Sequence, residues 1–354
     1  MGVHSKFILI LMVLITTVIC IARENYQVVL LGDLHYDSED IRINTDKLKS
    51  YQKREMQRNV ALWGKNIPAL LKAAADYANK NDVQFSIQCG DITQGDEGKY
   101  EFAVTSFKRV LQYVNQDHTK PVYVVRGNHD CRGKGKLKAC ADVLWEYMKK
   151  QDVIFPLPQK SQTCYKIVGK DLFIFFDSMR INLKAVKLSL QAKTDARHIF
   201  FVTHIPVMPG GLDFICSDTQ YGEKIRTLLA KHNVIVLAAH RHETSYFDWE
   251  MPEGSIKQFL SFSMVKNSTI APQIVNYSGS EYLKRFEKKV YPAGKEKKHL
   301  AMQNFLNNFI GKLNHCILYK SVAGFNVLRI EGDKVFVDMY SGKLDKVVFS
   351  RQIK

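Results

Sequence analysis

An α/β fold is the class this sequence predicts, and three observations predict it. Short apolar runs of strand length recur along the chain. Most of the stretches between them place apolar residues at helical spacing. Clusters of Asp, Asn and His fall just after several of the runs, where open α/β sheets bind their ligands. Strands alternating with helices build a sheet with helices packed against it. Length and composition agree with this: 354 residues allow one large or two ordinary domains, and 46% hydrophobic with 24% charged residues is a globular composition. Disordered, collagen-like and polytopic membrane classes are excluded.

The first segment is expected to stand outside the fold. Lys6 precedes an apolar run over residues 7–22, closed by Arg23, Glu24 and Asn25. That run is short of the roughly 20 residues a spanning helix needs and suits the apolar core of an export signal. With Cys20 and Ala22 as small residues at a cleavage site, residues 1–22 read as a signal peptide and the protein as exported, periplasmic or secreted. A lipidated Cys20 or an uncleaved segment would instead anchor it to a membrane.

Strands are expected over 27–31, 84–88, 122–126, 171–176, 199–203 and 234–238. Between them, residues 59–63 with Ile67, Leu70, Leu71, Ala74 and Ala75 carry a helical pattern. So do Phe102, Val104, Phe107, Val110, Leu111 and Val114, and the stretches 138–149 and 221–231. One further strand is expected before residue 265. Residues 266–320 then break the pattern with Pro272, Gly279, Pro292 and Gly294, apart from an amphipathic helix near 299–313. Strand-like alternation returns over 325–330 and 334–339. The organisation expected is a signal over 1–22, a catalytic core over 23–265, a basic insertion over 266–320 and C-terminal strands over 321–354 completing the core.

Lys and Arg number 51 against 35 acidic residues, a net charge of +16 that favours anionic partners. A phosphoester substrate and an anionic membrane surface both fit. No nucleic-acid-binding module is recognisable, so nucleic acid enters only as a potential substrate, and no obligate protein partner is indicated. The 266–320 segment alone carries ten Lys or Arg and three Glu, a net of +7. It reads either as a solvated excursion or as a lid or rim near the site. Seven cysteines include no CxxC pair, which excludes zinc ribbons and thioredoxin-type sites. Removing Cys20 with the signal leaves six. Cys131 and Cys140 bracket a short basic loop, open either to pairing or to remaining buried thiols.

Five segments concentrate the chemistry: Gly32-Asp33-Leu34-His35, Gly90-Asp91, Gly127-Asn128-His129-Asp130, Thr203-His204 and His240-Arg241-His242. Alone, each has a bland reading. A Gly-Asp pair is usually a turn, a lone His is usually a core or surface residue, and His-x-His arises by chance. Together, in this order and at strand ends, they are specific. Two cations about 3.5–4 Å apart need a shared carboxylate to screen their repulsion. Imidazole, carboxylate and an Asn carbonyl without thiolate suit Mn, Fe, Zn or Co rather than a structural zinc. A water between two such ions is acidified towards hydroxide and can attack phosphorus.

This order of motifs, D-x-H, GD, GNHD, H and HxH, resembles the calcineurin-like metallophosphoesterase superfamily over residues 27–265. The resemblance implies a four-layer α-β-β-α sandwich with two central mixed sheets flanked by helices. It implies hydrolysis of a phosphomonoester or phosphodiester by a metal-bridging hydroxide. Asp33, His35 and His242 would hold one metal, Asn128, His204 and His240 the second, and Asp91 would bridge them. His129 would act as general acid rather than ligand, oriented through its ring N–H by Asp130. Three departures narrow the branch. Ala239 replaces the usual Gly before the last motif. Ile92-Thr93-Gln94 lacks the Tyr ligand of purple acid phosphatases, and Gly90 to Asp96 lacks the Arg of Ser/Thr protein phosphatases. What remains resembles the generic cyclic-phosphodiesterase-like and phosphomonoesterase branches. The competing reading is a basic membrane-surface or nucleic-acid binding protein on an inactive scaffold. Such a scaffold is expected to have lost ligands, whereas all seven positions here hold competent residues.

Overall fold

The computed structural model describes residues 24–43, 48–158, 160–208, 222–265, 274–277, 281, 313–319, 323–341 and 344–354. Two mixed sheets form its centre. The first has six strands: β1 (Asn25–Leu31), β2 (Val83–Gln88), β3 (Val122–Val124), β12 (Gly324–Glu331), β13 (Lys334–Ser341) and β14 (Phe349–Gln352), in the order β14-β13-β12-β1-β2-β3. The second has eight: β4 (Cys164–Val168), β5 (Asp171–Phe175), β6 (Ile199–Val202), β7 (Ile235–Ala238), β8 (Thr244–Met251), β9 (Gly254–Leu260), β10 (Ile274–Tyr277) and β11 (Leu313–Tyr319). Their order is β10-β11-β8-β9-β7-β6-β5-β4. Within these sheets β1, β2 and β3 run parallel, as do β5, β6, β7 and β9.

The layering follows from the two-residue period of a strand. Along β5 and β6, Phe173, Phe175, Phe200 and Val202 face the first sheet and share one core with it. Their neighbours Leu172, Ile174, Ile199 and Phe201 face outwards into a second core. Helices Leu183–Gln191 and Gly222–Ala230 cover that outer core through Val186, Leu190, Ile225 and Leu229. On the far side, helices Ile67–Lys80 and Tyr100–Asn115 cover the first sheet through Ile67, Leu70, Leu71, Phe107 and Val110. The result is the four-layer sandwich. Both faces of the central strands are covered, which is why their sequences read as continuous apolar runs. Aromatic rings lock the two sheets together: Phe85 of β2 stands edge-on to Phe173 of β5 at 5.1 Å, and Phe173 stacks on Phe200 at 4.5 Å.

Each of the six first-expected strands is present, within a residue or two of its expected ends. The helical pattern across 59–75 is two helices, Ser50–Trp63 and Ile67–Lys80, because Gly64 ends the first and Pro68 suits the first turn of the second. The helical stretch 136–149 contains one π-helical turn, Cys140–Trp145. Where a single strand was expected after His242, the chain makes a hairpin of two, β8 and β9. Their charged residues pair across the strands, Lys257 Nζ lying 2.8 Å from Asp248 Oδ2, which blurs the apolar pattern. Residues 274–277 and 313–319, inside the basic 266–320 segment, are strands at the edge of the second sheet, β11 pairing with β8. The helix expected over 299–313 and the signal over 1–22 lie outside the described residues, except that Leu313 opens β11. Cys89, Cys131, Cys140 and Cys164 are free thiols. Among the described residues no helix is long and apolar enough to cross a membrane.

One close approach fixes how the sheets meet at the end that carries the Asp and His segments. A Cβ on Gly32, just past β1, would lie 1.7 Å from the carbonyl oxygen of Phe262, just past β9. Gly32→Ala is therefore expected to lower stability by about 2–3 kcal/mol. The measurement is the urea midpoint at constant slope; a wild-type midpoint would mean that this junction tolerates separation.

Candidate metal centre

The five chemistry-bearing segments converge at the carboxyl ends of β1, β2, β3, β6 and β7, where parallel strands of both sheets end together. Their turns are tight. His35 (φ 44°), Asp91 (φ 51°), His240 (φ 70°) and His242 (φ 54°) all occupy the left-handed region, which costs an L-residue energy. Strain of this kind persists only where the surroundings over-determine it. Gly127 allows close packing here: a Cβ there would lie 2.2 Å from Asp91 Oδ1.

All seven expected ligand side chains are brought together. Asp33 Oδ1 lies 3.9 Å from His35 Nε2 and 3.5 Å from His242 Nε2, and the two imidazole nitrogens are 3.1 Å apart. On the other side, His204 Nε2 lies 3.1 Å from Asn128 Oδ1 and 3.2 Å from His240 Nδ1. Asp91 belongs to both halves, its Oδ2 being 3.7 Å from His35 Nε2 and 3.2 Å from His204 Nε2. Donors about 3–3.5 Å apart are what a cation about 2.1 Å from each requires. The groups Asp33–His35–His242 and Asp91–His204–His240 each converge within 4.8 Å, and a third, His35–Asp91–His129, does so too.

The electrostatics fit the same group. Asp33 Oδ1 and His35 Nδ1 are buried without a hydrogen-bond partner. Burial, and then the Asp91 charge, push the Asp33 carboxyl up to about 7. Burial also opposes charge on Asp91 and His204, but their mutual attraction overrides it. The Asp91 carboxyl is held well below the usual carboxylate range and His204 is pushed up to about 9. Burial and the neighbouring His204 lower His240 to about 3. Carboxylates and imidazoles thus share protons across the cluster, and divalent cations would take the places of those protons. The donor set, its spacing and its unsatisfied atoms fit a pair of divalent metal ions.

His129 and Asp130 divide their work differently from the expectation. The His129 ring Nδ1 lies 2.8 Å from the Gln94 carbonyl, to which it donates, and the ring stands edge-on to His35 at 4.4 Å. Asp130 does not touch that ring. It is fully buried and accepts from Gly127 N (2.8 Å), Thr93 N (3.0 Å), Thr93 Oγ1 (2.9 Å) and Ile92 N (3.3 Å). The reason is local. Residues His129–Cys131 form a 3-10 turn, which sends consecutive side chains about 120° apart. Asp130 therefore ties the Asn128 loop to the Asp91 loop, and a backbone carbonyl orients His129.

Three supporting residues escaped sequence reasoning. Gln88 Nε2 donates to the Gly32 and Gly90 carbonyls (3.1 and 2.8 Å), joining the first two motif loops. Gln94 supplies the carbonyl just described. Arg132 places Nη1 3.3 Å from His129 Nε2. An amide at the end of a strand, just before the Gly90-Asp91 motif, was the available signal for Gln88. For Gln94 and Arg132 the only signal was adjacency to a motif. Asp130→Ala is expected to lower stability by about 2–4 kcal/mol and to reduce metal content, seen by urea unfolding and metal analysis. Full stability and full metal content with turnover alone reduced would restore the orienting role.

No curated protein sequence matches the chain. Solved structures do. A purple acid phosphatase from yellow lupin (Lupinus luteus) seeds shares 12% identity at a TM-score of 0.54, over 93% of this chain and 54% of that one. The chain thus spans about half the length of the lupin protein. A dimetal phosphatase from Danio rerio shares 12% identity at 0.54, over 93% and 98% of the two chains. The structure of PhoD shares 10% identity at 0.55, over 94% and 72%. At these identities the likeness is one of fold. The family is shown by sequence: the model for calcineurin-like phosphoesterases matches residues 26–260. With that match joined to the sandwich and its converging Asp, Asn and His side chains, the chain belongs to the calcineurin-like phosphoesterase family.

Proposed function

We propose that the chain is an exported phosphoester hydrolase that works with two divalent metal ions, drawn from Mn, Fe, Zn or Co. The observation that carries this reading is the single cluster of seven N and O donors in which Asp91 belongs to both halves. Asp33, His35 and His242 would hold one ion, Asn128, His204 and His240 the other, and Asp91 both. When bound, such a pair polarises phosphoryl oxygens and acidifies water near neutral pH.

The rest is the work of the chain's own residues. The Gln94 carbonyl fixes the proton on His129 Nδ1, which directs Nε2 towards the site. With a proton on Nε2 in place of the Arg132 N–H that faces it, the ring would deliver that proton to the leaving oxygen as the ester bond breaks. Asp130 and Gln88 keep the loops from parting as charge accumulates on the phosphoryl group. Net charge of +16 favours the approach of an anionic phosphoester. Lys6 and the apolar run over 7–22 support export, and an uncleaved segment would hold the enzyme at an anionic membrane surface.

The test is metal analysis with hydrolysis of p-nitrophenyl phosphate, bis-p-nitrophenyl phosphate, cyclic nucleotides and single-stranded DNA. Two ions per chain are expected, with both lost in Asp91→Asn. One ion or none in a fully active preparation would sink the dinuclear reading. His129→Ala is expected to lower turnover by about 10²–10⁴-fold while keeping its metal. Loss of metal in that variant would make His129 a ligand, as the His35–Asp91–His129 grouping allows.

A further inference from the structure

Asp96 stands apart among the described residues with a side chain at positive φ. Of those six, His35, Asp91, His240 and His242 are donors of the cluster, and Asn233 lies in the turn before β7. Asp96, at φ 61°, is neither. What it does is hold Arg132 at two points. Its backbone N–H donates to the Arg132 carbonyl (2.9 Å), and its Oδ2 lies 2.7 Å from Arg132 Nε.

Other groups complete the grip. Gln52 Nε2 donates to the same Asp96 oxygen at 3.1 Å. Glu55 Oε2 lies 3.5 Å from Arg132 Nη2 and accepts from Gln94 Nε2 at 3.0 Å. Gln94 is also the residue whose carbonyl orients His129. One small network therefore fixes both the acid and the arginine beside it, with Arg132 Nη1 3.3 Å from His129 Nε2. The Arg132 side chain is 29% exposed, so a ligand can reach it from solvent.

Stability alone does not account for this arrangement. The Asp96–Arg132 pair is partly exposed, 15% and 29% at the two side chains, so solvent and salt reduce what it returns. Asp enters the left-handed region more readily than most L-residues, but still at a cost. Directing the guanidinium at the site accounts for both. A guanidinium presents a flat fork of N–H groups suited to phosphoryl oxygens.

We propose that Arg132 reads the charge of the substrate, taking an anionic terminal oxygen of the phosphoryl group and favouring phosphomonoesters over phosphodiesters. This rests on the phosphoester-hydrolase reading above. A monoester dianion offers three terminal oxygens sharing two charges; in a diester the third oxygen carries a second ester group and one charge is gone. The guanidinium beside His129 gains from the first and meets a neutral, bulky arm in the second.

The experiment compares wild type, Arg132→Ala, Arg132→Lys and Asp96→Asn, all loaded with Mn. It measures kcat/KM on p-nitrophenyl phosphate and bis-p-nitrophenyl phosphate, and the calorimetric Kd of inorganic phosphate. Arg132→Ala should lower the monoester-to-diester ratio by about 10–100-fold, the share of a charge-assisted hydrogen bond. Its phosphate affinity should weaken by about 10-fold or more. Arg132→Lys keeps the charge without the fork and should fall between. Asp96→Asn keeps a residue tolerant of left-handed backbone, releases the anchor and should move the ratio in the same direction. This variant decides the matter if Arg132→Ala loses metal or fails to fold. A ratio within about two-fold of wild type in a folded, metal-loaded variant overturns the assignment and leaves the hydrolase reading intact. Wild type that neither cleaves either ester nor binds phosphate overturns both.

Discussion

Asp91 accepts hydrogen bonds from three of the site's loops, through its carboxylate and its carbonyl. One carboxylate oxygen takes the His129 backbone N–H at 2.7 Å, and the other faces His204 and His35. Its own carbonyl accepts from Leu34 N and His35 N, at 3.1 and 2.9 Å. The loops after β1, β2 and β3, together with the end of β6, are therefore gathered on one buried carboxylate. A buried anion is costly unless it is surrounded by charge and donors. Here that requirement organises the site: removing any of the groups around Asp91 leaves the charge exposed to a low-dielectric interior.

The two-sheet architecture makes this gathering feasible. Parallel strands from each sheet end on the same side, and the junction of Gly32 with Phe262 sets the sheets close enough for donors from both to meet. Asp33, Asp91 and Asn128 follow strands of the first sheet, and His204, His240 and His242 follow strands of the second. Neither sheet alone carries a complete set around Asp91. The centre is thus a property of the interface between sheets, which the packing of Phe85 against Phe173 and Phe200 helps to hold together in the core.

Around the donors lies a supporting layer with a division of labour. Asp130 and Gln88 hold backbone to backbone and fix where the loops stand. Gln94, Glu55 and Asp96 fix where two side chains point, those of His129 and Arg132. Positioning of this sort matters because a reacting group misplaced by about 1 Å loses much of its effect. The left-handed turns at His35, Asp91, His240 and His242 belong to the same arrangement, since strained backbone persists only where its surroundings fix it.

The sequence by itself determined the α/β class, most of the central strands and the seven donors. Those features are written locally: an apolar run such as 199–203 buries both its faces wherever it is placed, and the motifs concentrate residue types suited to such a centre. Tertiary structure decided the rest. Strand β11, inside the basic 266–320 segment, becomes a strand by pairing with β8, more than sixty residues before it, and such pairing leaves little local pattern. Asp130 looked like the partner of His129 because it is next to it in sequence. A 3-10 turn sends it instead to the Asp91 loop, and the task passes to the Gln94 carbonyl, an atom every residue has and no sequence pattern marks. Arg132 is one of 51 basic residues until Asp96 and Glu55, from two other segments, fix its direction. Composition and periodicity record which groups are available and which faces are apolar. Where a polar side chain points is set by partners distant in the chain, and only the folded structure brings those partners to it.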